Sequence, residues 1–414
     1  MKIDSILSPM KKCSMFVCAA GLAFSLALAN IGIMLLLIVV ILEYYFHKKQ
    51  FAYKKQAIEF SFITGLAVYA VSSIFGLQPL YSLSRFHSEL LFITLYVYVY
   101  GLNEKEGLTC LKIFALFTAA AALFGLIQYT IGIDVSLQGN LTNIPSWLIS
   151  FPDGVLHELA LKQGRVMSSR SHPITYAEAA FFGLIIMITF VIIEKHAVKR
   201  IGWIAASLIS VTAIILSSSR GAWLAMAAGI PVLLMVKKKK IIRVRYISIA
   251  VACIAVLMFL IPSVRGRILS LDMGSKESNR VRISLWKTGI NILQDYPLLG
   301  IGPHTLKSIY DQYQDPGIPD KRRWSELHNQ YIQVAAERGI IGFGVYLWML
   351  VCMGMMWYYA WKNQIWSLRG QMAAAGLACF AGFLIMCLTE NAFFDSEINL
   401  ILWFILGITG SGNE

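Results

Sequence analysis

The sequence predicts an all-α membrane protein of about twelve transmembrane helices, with a large outward loop that carries short amphipathic helices. Three observations predict it. Of 414 residues, 57% are hydrophobic and 14% charged, more apolar surface than a water-facing domain can bury. The apolar residues fall in repeated runs of about 20, the length that crosses a bilayer as helix. Among the short loops, Lys and Arg fall almost entirely in alternate ones.

The spans follow in order. A short basic tail, 1–12, precedes spans at about 13–29 and 31–46, parted by Asn30. A Lys-rich loop leads to span three, about 57–75; Gly76, Pro79 and Arg85 precede span four, about 86–101. Span five ends near 131, and 132–172 is the first outward loop. Spans six, seven and eight cover about 173–193, 201–217 and 221–236. The basic run 237–245 precedes span nine, about 246–264, and 265–332 is the large outward loop between spans nine and ten. Spans ten, eleven and twelve lie at about 340–360, 371–389 and 395–410, so that 1–414 reads as one polytopic domain.

The charge asymmetry orients these spans. With the N-terminus in the cytoplasm, the Lys and Arg of the tail and the short loops, from Lys2 to Arg369, gather on the cytoplasmic side, and the opposite short turns hold only Arg85 and Arg220. Both termini are then cytoplasmic and both long loops face outward. The net charge of +13 is thereby a topology signal rather than a nucleic-acid footprint. The seven cysteines lie in or beside apolar spans, which argues against a structural disulfide or a Cys metal site. No cleavable signal peptide is evident, and GxxxxGK[ST] and GxGxxG nucleotide motifs are absent.

The chemistry-bearing residues cluster on the outward side. In S-E-L-H-N-Q-Y-I-Q-V-A-A-E-R-G-I-I-G (325–342), Ser325 is placed to cap a helix, and Gly339 to end it. His328 then lies in the first turn, where a titratable imidazole can take a proton from a hydroxyl; the plain alternative is a surface histidine. Arg220 sits between two apolar spans, where an arginine needs a partner or a function, although a snorkelling anchor also fits. Its guanidinium fork suits phosphate oxygens. Arg280 and Arg282 open an amphipathic stretch through Leu285, Trp286, Gly289, Ile292 and Leu293, which suits the membrane surface. Arg165, Arg170 and His172 precede span six, with His172 read first as a helix-start residue before Pro173. Glu178, one turn further on, needs a partner. Glu390, Asp395 and Glu397 make the last outward turn acidic, and any of them can hold His328 or an arginine. No HExxH or DxD lies outward, so no metal is expected.

These residues resemble a known family. His328-Asn329, nine residues, then Gly339-Ile340-Ile341-Gly342 matches the H-[NSQ]-x9-G-x-x-G signature of the O-antigen ligase and polymerase superfamily. Ser219-Arg220-Gly221-Ala222 is similar to its S-R-G-A segment. Arg282 with Trp286, Pro297 and Gly300-Ile301-Gly302 resembles the pattern ahead of the histidine, and Arg165 with His172-Pro173 a looser motif. The resemblance implies a bacterial inner-membrane glycosyltransferase that takes a glycan from undecaprenyl pyrophosphate on the periplasmic face. The acceptor is a sugar hydroxyl of lipid A-core for a ligase, or another glycan for a polymerase. It implies inversion without a metal or other cofactor. Among site residues, it implies His328 as the base, Arg220, Arg282 and Arg165 on the pyrophosphate, and Asn329, Glu390, Arg280 and Arg338 as supporting candidates. No outward R-x10-G of the polymerase kind is present, which favours ligase. A transporter of the same lipid-linked glycan is the reading from a different class; it expects internal repeats and charges inside the bundle.

Overall fold

A computed structural model describes residues 3–47, 58–131, 165–170, 172–235, 277–315 and 323–410. Among them the chain is helical, without a strand. Helices α1 (Asp4–Phe24) and α2 (Leu26–Phe46) form a hairpin, and α3 (Glu59–Ile74), α4 (Pro79–Ser84), a 3-10 segment (Phe86–Ile93) and α5 (Thr94–Gly101) lead to α6 (Glu104–Ile131). Next among the described helices come α7 (Pro173–Ile193), α8 (Ala197–Leu216) and α9 (Arg220–Met235). The remainder comprises α10 (Glu277–Asp295), α11 (Leu306–Tyr313), α12 (Gln330–Asn363), α13 (Leu368–Met386) and α14 (Ser396–Thr409).

Seven of the described helices are long and apolar enough to cross a membrane, namely α1, α2, α6, α7, α8, α12 and α13, and three more (α3, α9, α14) are apolar but shorter. The protein is a multi-pass membrane protein. The sequence alone leads to about twelve spans. Expected span four is divided between the 3-10 segment and α5, and expected span nine, 246–264, lies outside the described residues. The break between the first two helices falls at Ser25, which is extended (φ −157°, ψ 129°), and not at Asn30, which continues α2. The expected basic tail is helical from Asp4.

Helix α7 is the centre of the bundle. It packs against α6, α8, α9, α13 and α14, and is buried on nearly every side from Tyr176 to Phe190. A helix apolar all round suits such a central place. Its first turn is set by sequence: His172 is the N-cap, its Nδ1 accepts from Ile174 N at 3.3 Å, and Pro173 takes a position whose N–H needs no partner. A second, smaller core lies at one end, where Leu285, Ile292, Ile301, Leu306, Leu327 and Ala336 pack together. The apolar face of α10 is therefore covered by protein, rather than laid on the membrane as expected. Leu285 and Ile292 are fully buried there because α12 and the 298–306 loop supply enough apolar area to cover them.

Two glycines lock that loop to α12. Gly339 breaks the helix with φ 63°, ψ −172°, so the expected helix end is a kink inside one long element. A Cβ at Gly339 would lie 2.1 Å from Leu298 O, and one at Gly300 (φ 67°) 2.4 Å from Glu337 C. The backbones can therefore pair: Ile301 N donates to Ala336 O (3.1 Å), Gly302 N to Glu337 O (2.9 Å) and Ile340 N to Pro297 O (2.8 Å). The Gly-Ile-Gly and G-x-x-G motifs are two halves of one packing contact.

Candidate functional site

One end of the bundle gathers the N-termini of α7, α9, α12 and α14 with the C-terminus of α13. The cap of α12 is Asn329, not Ser325. Its Oδ1 accepts from Tyr331 N and Ile332 N, both at 3.1 Å, and its Nδ2 donates to Leu388 O at 3.1 Å. His328 consequently precedes the helix instead of lying in its first turn. It adopts φ 49°, a left-handed backbone that a β-carbon disfavours. Strain of this kind persists where neighbours hold it, and Gln333 Oε1 holds the adjacent Leu327 N at 2.8 Å.

Glu390 decides the geometry. It follows α13 in a turn closed by its own N–H on Met386 O at 2.9 Å. Its Oε2 lies 2.8 Å from His328 Nδ1, and its Oε1 accepts from Arg282 Nη2. Of the three carboxylates that could hold the histidine, the fold selects this one. Glu397 is paired with Arg170, and Asp395 caps α14 through Glu397 N while accepting from Thr175 Oγ1 at 3.1 Å. Burial, reinforced by Glu397, holds the Asp395 carboxyl above the usual range.

In the tautomer that donates Nδ1–H to Glu390, His328 presents Nε2 as a proton acceptor. Trp324 stands edge-on to the ring at 5.5 Å between centroids, and the His328 side chain keeps 24% of its surface exposed, enough for a substrate to reach it.

Arg220 opens α9 and reaches α10: its Nη2 donates to Asn279 Oδ1 at 2.7 Å. Asn279 lies one turn before Arg282, so one helix end ties both arginines together. Sequence reading passed over Asn279; the i, i+3 spacing to Arg282 is the signal that marks it. Glu178 is buried in the same neighbourhood, with Arg282, Glu390 and Asp395 among its charged neighbours, and its Oε1 has no hydrogen-bond partner. His172 senses Arg165, Glu390 and His328; burial, then Arg165, holds its imidazole below the usual range. Arg165 itself donates through Nε to Ser217 O at 2.6 Å, beside the Ser219-Arg220 turn. Arg280 is exposed on α10.

Arg338 belongs elsewhere. It is buried and donates two bonds to Glu89, at 2.6 and 3.2 Å, between the rings of Tyr69 and Phe394. Arg170 is likewise structural, holding Glu397 and Leu22 O. Among the described residues, no group of three or more His, Cys, Asp or Glu side chains is gathered to hold a metal ion.

Residues 205–347 match the family described as O-Antigen ligase. That segment, about a third of the chain, is similar to the O-antigen ligase superfamily. The matched O-antigen ligase segment contains Arg220, Arg282 and His328; Arg165, His172 and Glu390 come from outside it. Over 183 residues the chain is also 24% identical to an uncharacterized protein of Haemophilus influenzae. That match covers 40% of this chain and 45% of the relative, so the chain spans under half the length of the protein it matches.

Proposed function

We propose that this protein is an O-antigen ligase. In this reading it transfers a polysaccharide from undecaprenyl pyrophosphate to a sugar hydroxyl of lipid A-core, at the periplasmic face of the inner membrane. The observation that carries it is Glu390, one carboxylate that orients the imidazole of His328 and anchors the guanidinium of Arg282. A proton acceptor and a phosphate-binding cation are thereby held as one unit.

The chemistry follows from those groups. The acceptor hydroxyl oxygen attacks the anomeric carbon as the carbon–oxygen bond to pyrophosphate breaks, which inverts the anomeric centre. His328 Nε2 takes the hydroxyl proton; Glu390 stabilises the imidazolium that forms. Arg220 and Arg282 offset the charge that develops on the leaving pyrophosphate, and Arg165 is a further candidate for that task. Asn329 fixes the start of α12 and so the place of His328. A good leaving group needs no general acid, and two guanidinium groups supply the neutralisation that a metal supplies elsewhere. The one-sided Lys and Arg distribution supports a periplasmic site with both termini in the cytoplasm.

The test is glycan transfer by the full chain in vesicles carrying the lipid-linked donor. His328→Ala is expected to lower turnover by a factor on the order of 100 or more with folding unchanged. Transfer at the wild-type rate would end the proposal. A deletion strain separates the two reactions of the family: long chains left on the carrier lipid mean ligase, and a single repeat unit on the core means polymerase.

A further inference from the structure

A cavity lies between α3, the 3-10 segment, α12 and α14. Its volume is about 70 Å³ of water-accessible space, room for roughly five waters or one sugar ring. None of its lining residues belongs to the His328, Glu390, Arg282 and Arg220 group. One wall is Phe393 and Phe394, three and four residues beyond Glu390.

The polar lining is unfinished. Four buried polar atoms of lining residues have no hydrogen-bond partner: Arg338 Nε, His304 Nε2, Asn399 Oδ1 and Trp403 Nε1. Arg338, Asn399 and Trp403 are 8%, 6% and 1% exposed, so bulk water does not serve them. Each such group left unmatched is costly, which marks a place where a ligand or ordered water completes the bonds. Two of the four, Arg338 Nε and Trp403 Nε1, can only donate; Asn399 Oδ1 only accepts; His304 Nε2 does either according to tautomer. The charges already cancel, because Glu89 takes the other two guanidinium edges of Arg338. Burial, then Arg338, holds His304 below the usual imidazole range, so it stands neutral.

We infer that this cavity is a saccharide subsite, which takes one uncharged, hydroxyl-rich sugar unit of a glycan substrate. Hydroxyls donate and accept at once, as this mixed set requires, whereas a phosphate oxygen would use only the donors. The aromatic walls, including Phe62, Phe393 and Trp403, match the C–H faces of a sugar ring. The assignment of that sugar to a glycan substrate rests on the proposed transfer reaction; the mixed donor and acceptor set does not.

The experiment uses the full chain in nanodiscs and saturation-transfer NMR. Three soluble probes are compared: the lipid-free core oligosaccharide, the lipid-free repeat-unit oligosaccharide and glycerol 3-phosphate. Trp403→Phe removes the indole N–H and keeps a ring. Gly65→Leu fills the cavity from α3, where an added Cβ meets only Val345 at 3.8 Å. One of the two oligosaccharides is expected to bind, about fivefold more weakly to each variant, and which one binds identifies acceptor or donor glycan. His328→Ala should bind the same sugar with unchanged affinity while losing transfer. Binding of neither oligosaccharide, binding indifferent to both substitutions, or displacement of the sugar by glycerol 3-phosphate would each overturn the inference. If instead His328→Ala still transfers, the proposed reaction fails and the subsite stands or falls on its own result.

Discussion

Glu390 Oε2 lies 2.8 Å from His328 Nδ1, across 62 positions of chain. The contact fixes a histidine that precedes one helix through a carboxylate just past the end of another; in the proposed reaction that histidine is the base. Because the other oxygen of Glu390 takes Arg282, the base and a cation share one anchor.

Removing that anchor should cost turnover more than affinity. Glu390→Gln keeps the size of the side chain but loses its charge, so the imidazolium formed in transfer is no longer stabilised. A fall in kcat on the order of 10- to 100-fold is expected, with KM for the donor changed less. Steady-state transfer assays on membranes with matched protein levels check the split.

Arg220→Lys should act on the donor. A lysine carries the charge but not the planar fork, so it can keep either Asn279 or a phosphate oxygen in place, not both. The expected result is roughly a tenfold rise in KM for the lipid-linked donor. Adding Asn279→Ala should cost less on top of Arg220→Lys than in wild type, because the two substitutions remove one contact.

Arg170 serves stability. Its guanidinium and the Glu397 carboxylate are buried together, with side chains 2% and 8% exposed. Arg170→Met takes the guanidinium away from this buried carboxylate and is expected to destabilise by roughly 3–5 kcal/mol. Arg170→Met with Glu397→Met should recover most of that loss, read as thermal unfolding in detergent. Catalytic constants of the folded fraction should be unchanged in the double variant.

Gly339→Ala places a β-carbon where the backbone has φ 63° and Leu298 O lies 2.1 Å away. The substitution should loosen the 298–302 loop from α12, with a loss of at least about 1–3 kcal/mol. Protease susceptibility of the loop, compared with wild type, reports it.

Stability should fall on acidification. His172 and His304 are both held below 6.5 by burial, with Arg165 and Arg338 adding to it. The unfolded chain therefore binds more protons as pH drops through 6.5, and folding weakens from there down to the lower folded-state values, below which it levels off. A melting temperature that declines between about pH 7 and 5, and declines less in His172→Asn, is the expected result. The asparagine can still cap α7.

Much of the architecture was legible in the sequence because it depends on local composition. Apolar runs must become helices in a bilayer, since backbone groups there find partners only within the helix. Caps depend on one or two neighbouring residues, and His172-Pro173 reads correctly on that basis. The His328 signature and the Arg220 segment are likewise local strings. Cap choice already strains that logic: Ser325 and Asn329 are both good caps, and Asn329 wins because Leu388 O, from the turn after α13, holds its amide.

What the tertiary structure alone decided is pairing between distant segments. Glu390, Asp395 and Glu397 are equivalent acids in sequence, yet one serves His328 and Arg282, one caps α14, and one neutralises Arg170. Arg338 resembles a site residue by position but faces Glu89. The face of α10 that reads as membrane-binding is covered by α12. The physical reason is range. Helix formation is written in contacts a few residues apart, whereas a charge finds its partner through the packing of whole helices. That packing is decided by which apolar faces bury the most surface together.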